Sequence, residues 1–261
     1  MKEFYKKLRM TFPRKLLPFS AIAVLIVLWH ISIARSDSSI LPGPWAVVLG
    51  IAELAQKGLL LKYIVASLFR VTWGYLLAAS LGIPFGLLLG WYQRGEKAFN
   101  PIIQILRPIS PLAWIPIAIL WFGVGDSAAI YLIFLASFLP LTVTAMNAVR
   151  NIPAVNLNAG RNFGLSEGQV ITRILYPAVA PYLIVGLRIT LGIAWLVVVA
   201  AEMIAVNSGL GFLIIDARNA GNRYDLVVAG MVMIGLLGIV LDIGMRNLEK
   251  MKSIRWGYGG N

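Results

Sequence analysis

Long stretches of this chain contain no Lys, Arg, Asp or Glu, and nothing else in it limits the fold as strongly. They cover 16–34, 71–93, 108–125, 127–149 and 226–241, with a further pair, 174–187 and 189–201, divided only by Arg188. Crossing a bilayer takes roughly 20 helical residues, and inside lipid a helix satisfies its own backbone polar groups. The stretches therefore predict an all-α polytopic membrane protein with six transmembrane helices, near 16–34, 70–91, 106–122, 128–149, 182–204 and 226–246. Composition agrees: 59% of the 261 residues are hydrophobic and 13% are charged. A soluble domain carries about 25% charged residues.

The net charge of +12 raises the question of an acidic partner. In a polytopic chain, basic residues collect in cytoplasmic loops, so nucleic acid is not implied. With the N-terminus inside, 17 of the 23 basic residues fall on that side, Arg107, Arg150, Arg161, Arg173, Arg188 and Arg246 among them. Only Arg35, Lys57, Lys62, Arg70, Arg218 and Arg223 fall outside, which predicts that both termini are cytoplasmic. The segment MKEFYKKLRMTFPRK leads into the first apolar run with no small-residue cleavage site, so a retained first span is expected rather than a signal peptide.

Two segments do not fit a span. GPWAVVLGIAELAQKG (43–58) reads as a short helix on the outer surface, and NSGLGFLIIDARNAGNRYD (207–225) as an outer loop with a short re-entrant helix. Neither a linker nor a 20–50-residue repeat divides the chain, so a single domain over 1–261 is expected. Gly82, Gly86 and Gly90 lie four apart on the second helix, a spacing that lets two helix backbones approach closely, within the subunit or across a dimer.

Charged and aromatic residues inside spans are the candidate pathway. Arg188, Trp195 and Glu202 recur every seven residues on the fifth helix and share a stripe; Arg107, Trp114 and Trp121 do the same on the third. Arg188, Trp195, Arg107 and Trp114 are the candidate pathway residues, because an arginine attracts an anion and a rigid ring narrows a passage. The alternative is that Arg188 snorkels to the inner headgroups and the tryptophans sit at interfaces or pack between helices. Glu202 is expected to be an outer-end partner of Arg218 or Arg223, while Asp216 and Asp242 stand isolated. With no cysteine, a single histidine (His30) and no carboxylate pair at ligand spacing, metal and nucleophile chemistry lack candidates.

The segment NAGRNFGLSEGQVITRILYPAVAP (158–181) lies within a long cytoplasmic stretch of about 150–181. Connections in compact proteins are much shorter, and long ones tend to be functional or disordered. Asn158 and Gly164 punctuate it, LSEGQVITRIL has helical spacing, and Pro177 and Pro181 are expected to end the helix before the fifth span.

This segment resembles the cytoplasmic EAA-type loop of bacterial ABC-transporter permeases, with Asn158, Ala159 and Gly160 at the Glu-Ala-Ala positions, then Gly164 and Pro177. RPISPLAWIPIAILWFGVGDSAAI (107–130), GLRITLGIAWLVVVAAEMI (186–204) and GLGFLIIDARNAGNRYDLVVAGMVMIGLLGIVLD (209–242) are similar to the nitrate/sulfonate/taurine/bicarbonate permease group, in the family's order. The resemblance implies a type I importer (MetI-like) permease fold in the bacterial inner membrane. It implies a dimer, expected to be a homodimer, with two cytoplasmic ATP-binding subunits and an extracytoplasmic binding protein. ATP and Mg would be bound by those partners, since this chain has no G-x-x-x-x-G-K-[ST] loop and needs no cofactor of its own. A coupling helix from about Gly164 to Ile171 would enter a cleft of the ATPase, with Leu165 and Val170 as anchors and Ser166, Glu167 and Gln169 as polar contacts. The expected cargo is a small anion: nitrate first, with taurine, other sulfonates or bicarbonate as alternatives. An ion-coupled secondary transporter is the competing class, but it calls for intramembrane carboxylates and usually a repeat.

Overall fold

The computed structural model of the chain describes residues 17–34, 41–219 and 221–249, all helix, turn or irregular structure. The basic segments before Leu17 and from Lys250 onward, and Arg35, lie outside the described residues.

The chain begins with α1 (Leu17–Ala34) and α2 (Pro44–Gln56), then a long α3 (Leu59–Trp91). After α4 (Gln93–Leu106) and a 3-10 turn at Pro111–Trp114 come α5 (Ile115–Phe122) and α6 (Asp126–Arg150). The short α7 (Ala154–Asn162) and α8 (Glu167–Val170) follow, and a π turn (Ile171–Leu175) leads into α9 (Tyr176–Ile204). Short α10 (Leu210–Asn219) and long α11 (Tyr224–Glu249) complete the described chain.

Four helical units are long and apolar enough to cross a bilayer: α3, α6, the continuous run Glu167–Ile204, and α11. The pair Gln93–Leu106 and Pro111–Phe122, bent by 84°, passes the same test when taken as one span, and α1 supplies a shorter apolar helix. The third span therefore departs from the straight helix expected at 106–122. Pro108 and Pro111 lack the N–H that would continue α4, and Ser110, the residue before Pro111, is extended (φ −58°, ψ +131°). The two short helices outside the spans, α2 and α10, fall where 43–58 and 207–225 are expected to hold them.

The second span starts at Leu59 rather than near 70, because the charge of Arg70, expected in an outer loop, is inside it. The fifth helix is likewise longer than expected. Pro177 occupies its first turn, where no intrahelical N–H bond is required, and Pro181 sits inside it, so neither proline ends the helix.

The centre of the bundle is α6, packed chiefly on α3 and α9. Lipid tails are as apolar as leucine, so close packing rather than water exclusion must hold such a seam together. Glycines of α3 make it possible: a Cβ on Gly74 would lie 2.7 Å from that of Ile133, and on Gly90 2.7 Å from Met146 O. On Gly86 it would strike Thr142 O, so the glycine stripe packs within the subunit. By contrast α1 exposes Phe19, Ile22, Leu25, Leu28 and Ile31, a helix clothed for hydrocarbon, with His30 also exposed on it.

Glu202 (0% exposed) and Arg70 (1% exposed) meet at the Asp126 end of the bundle. Arg70 Nη1 donates to Glu202 Oε1 at 2.6 Å and to Ser208 O at 2.7 Å, and Nε donates to Asp126 Oδ1 at 2.7 Å. Ser67 Oγ and Gly211 N each donate to Glu202 Oε2 at 2.9 Å. Glu202 is therefore the partner of Arg70, not of Arg218 or Arg223. The cluster joins α3, α6, α9 and the turn before α10, and Gly209 (φ +109°) leaves room there for the carboxylate. Arg223 instead binds Asp225 and Glu53, tying α11 to α2. With Arg223 and Lys57 beside it, the Glu53 carboxyl is held down at about 2.

Candidate functional site: a cavity and a protruding knob

The bend between α4 and α5 opens a cavity of about 710 Å³ against α6 and α9. That is within the roughly 300–1,000 Å³ of small-molecule sites. Aromatic and aliphatic side chains, Trp114, Tyr131, Phe134 and Phe138 among them, make most of its wall. Its polar members include Arg107, Thr144, Asn147 and Thr190, and no carboxylate among the described residues lines it. Arg107 is exposed and makes no ion pair among the described residues. A solitary cation beside aromatic rings, with no acid to neutralise it, is an environment that favours an anion.

The four expected pathway residues do not converge. Arg107 and Trp114 line this cavity. Arg188 and Trp195 belong to the other side of α9, whose Gly186, Ile189, Thr190 and Ile193 face the cavity instead. Arg188 Nε donates to Asp242 Oδ1 at 2.6 Å, and Nη1 lies 3.3 Å from Glu249 Oε2, which fastens α9 to α11. Asp242, expected to stand alone, is thereby paired, and Arg246 joins it at 3.0 Å. Trp195 is buried, and its Nε1 donates to Ile234 O at 3.1 Å. Trp121 packs edge-on to Tyr131 from α5 without lining the cavity. The sequence reading missed Thr144, Asn147 and Thr190; the usable signal was a lone carboxamide, Asn147, within an otherwise apolar helix.

At the Arg150 end, α7 and α8 form a protruding knob. Gly164 adopts φ +81°, a left-handed backbone that glycine accepts without steric cost and that turns the chain between the two helices. The helix expected from Gly164 to Ile171 is confined to Glu167–Val170, with Gln169 Oε1 accepting from Ser166 N at 2.9 Å. Arg161 Nε donates to Glu167 Oε1 at 2.8 Å across the turn, and that carboxylate raises the Arg161 pKa. Asn158, Gly164, Ser166, Glu167 and Gln169 are exposed, with Ala159, Leu165 and Pro177 half-buried. Val170 differs from its expected role as an outward anchor: it is fully buried beneath the knob. Gly160 is buried too, because a Cβ there would strike Ile174 of the π turn. The outward apolar group is Phe163, 87% exposed at the tip beside Gly164.

A bent apolar helix pair, a long apolar helix running into a small exposed knob, and a cavity between the helices describe a polytopic membrane protein. Residues 82–253 match the family of binding-protein-dependent transport system inner membrane components, and the chain belongs to that family. It is 36% identical to the nitrate import permease protein of Synechocystis over 92% of this chain and 90% of that one. It is 32% identical to the taurine transport system permease protein of Escherichia coli over 90% of this chain and 87% of that one. The inward-facing MetNI methionine ABC transporter has a chain of the same fold, with a TM-score of 0.65 at 19% identity, covering 74% of this chain and 95% of that chain.

Proposed function

We propose that this chain, acting as one permease domain with both termini cytoplasmic, is the inner-membrane subunit of an ATP-driven importer of a small anion. It pairs with a second copy of itself, receives cargo from an extracytoplasmic binding protein and is driven by two cytoplasmic ATP-binding subunits. The observation that carries the anion assignment is the carboxylate-free cavity with unpaired Arg107 on its wall. Arg107 attracts the anion and Trp114 narrows the passage beside it, while Arg188 and Trp195 hold α9 against α11.

Coupling runs through residues 158–177. The knob presents Phe163, Ser166, Glu167 and Gln169 outward, on a segment continuous with α9, whose opposite face lines the cavity. Movement imposed on the knob by an ATPase cleft is thereby delivered to the cavity wall. Nitrate is the first cargo, from the likeness of RPISPLAWIPI (107–117) to nitrate and bicarbonate permeases; taurine or another sulfonate is the second.

Complete transporter reconstituted in vesicles, with binding proteins for nitrate and for taurine supplied in turn, tests this reading. ATP-dependent accumulation of labelled nitrate is expected, with Arg107→Gln slowing it while the ATPases still copurify. Accumulation of taurine alone overturns the nitrate assignment, and no ATP-dependent accumulation of either anion overturns the importer.

A further inference from the structure

A second cavity, of about 500 Å³, shares Thr144, Asn147, Gly186 and Ile189 with the first, so the two form one groove between α6 and α9. On α6 and its C-terminal cap, Thr144, Asn147 and Asn151 occur at i, i+3 and i+7, which places them on one helix face over about 10 Å. All three line the second cavity, and Asn147 and Asn151 are exposed to it. None of the three side chains makes a hydrogen bond among the described residues. A carboxamide turned toward hydrocarbon with no partner is costly, so a polar occupant or water must face Asn147. Among the described residues neither cavity has a carboxylate on its wall, and the second has no charged residue.

Resting on the importer reading, we propose that Thr144, Asn147 and Asn151 form a neutral hydrogen-bonding ladder for the anion leaving Arg107, with Asn147 its specificity-determining residue. Each carboxamide offers two N–H donors and each threonine one O–H, enough to replace part of the hydration of an oxoanion or sulfonate. None carries a full positive charge that would trap it. A transport path needs sites that bind well enough for entry and weakly enough for release, and neutral donors beyond a single arginine meet that condition.

Asn147→Asp changes the charge with almost no change of shape. A like charge about 5 Å from the anion, at an effective dielectric of about 20, predicts a fall in uptake of roughly 300-fold. In vesicles holding the complete transporter, Asn147→Asp should lose uptake by that factor while binding-protein-stimulated ATP hydrolysis continues. Asn147→Gln should stay within about threefold of wild type in both. Uptake by Asn147→Asp at the wild-type rate overturns the ladder, as does equal loss in the Asp and Gln variants, which marks a packing residue. If Asn147→Asp does not assemble with the ATPases, Asn151→Asp is measured instead. A fall of roughly tenfold or more there supports the ladder and a wild-type rate overturns it. Wild-type vesicles that accumulate no anion count against the importer reading, separately from the ladder.

Discussion

Replacing Arg70 with methionine keeps most of the side-chain volume and removes one charge from the most enclosed cluster in the bundle. Glu202 would keep its hydrogen bonds from Ser67 Oγ and Gly211 N, both 2.9 Å, but would lose the cation 2.6 Å away. Removing one member of a buried ion pair costs about 3–5 kcal/mol, because an uncompensated charge stays behind. At about 2–4 °C per kcal/mol, thermal unfolding of the detergent-solubilised protein should fall by roughly 6–20 °C. Glu202→Gln should cost less, about 1–2 kcal/mol, because Arg70 keeps Asp126, whose side chain is 56% exposed. The double variant Arg70→Met/Glu202→Gln has no orphaned acid and should recover at least about 1.5 kcal/mol relative to Arg70→Met alone. An Arg70→Met protein melting within about 2 °C of wild type would refute the buried pair, as would a double variant no more stable than the single.

Two further substitutions probe backbone geometry. Gly86→Ala places a methyl group against Thr142 O and should destabilise the protein by about 1–3 kcal/mol, read as a lower melting temperature in detergent; an unchanged melt would refute close α3–α6 packing. Gly164→Ala meets no neighbouring atom but must hold φ +81°, at a cost of about 1–2 kcal/mol, so the spans should insert normally while copurification of the ATPases weakens.

The apolar helices were legible because a bilayer imposes a length and a composition, and both survive translation into a plain run of letters. Arg70 was not, since a charge count treats a buried arginine as a loop arginine until the acids that neutralise it are known. Those acids come from 56 and 132 residues further along, a pairing no local pattern encodes. The bend at 107–110 was half visible: Pro108, Pro111 and Pro116 disturb the phase of the Arg107–Trp114–Trp121 stripe, but not the direction of the turn. The heptad on α9 is a stripe whose first two members pack on α11. A regular interval reports which residues share a side of a helix, and only the neighbours decide what that side meets. Here Arg188 and Trp195 meet α11, and the cavity is served by the smaller residues Gly186 and Thr190, which hydropathy passes over. Gly164 was found by resemblance, and its positive φ supplies the physical reason for a glycine there.

The π turn at Ile171–Leu175 joins the knob to a helical rod that runs on to Ile204. Such a turn holds one residue more than an α turn, and each helical residue accounts for about 100° of rotation. Were that surplus residue squeezed out of the turn, the rod would swing by more than a quarter revolution relative to its own tip, carrying Gly186 and Thr190 off one neighbour and Arg188 off another. The five residues Ile171–Leu175 thus set the angular phase between the exposed knob and the cavity wall.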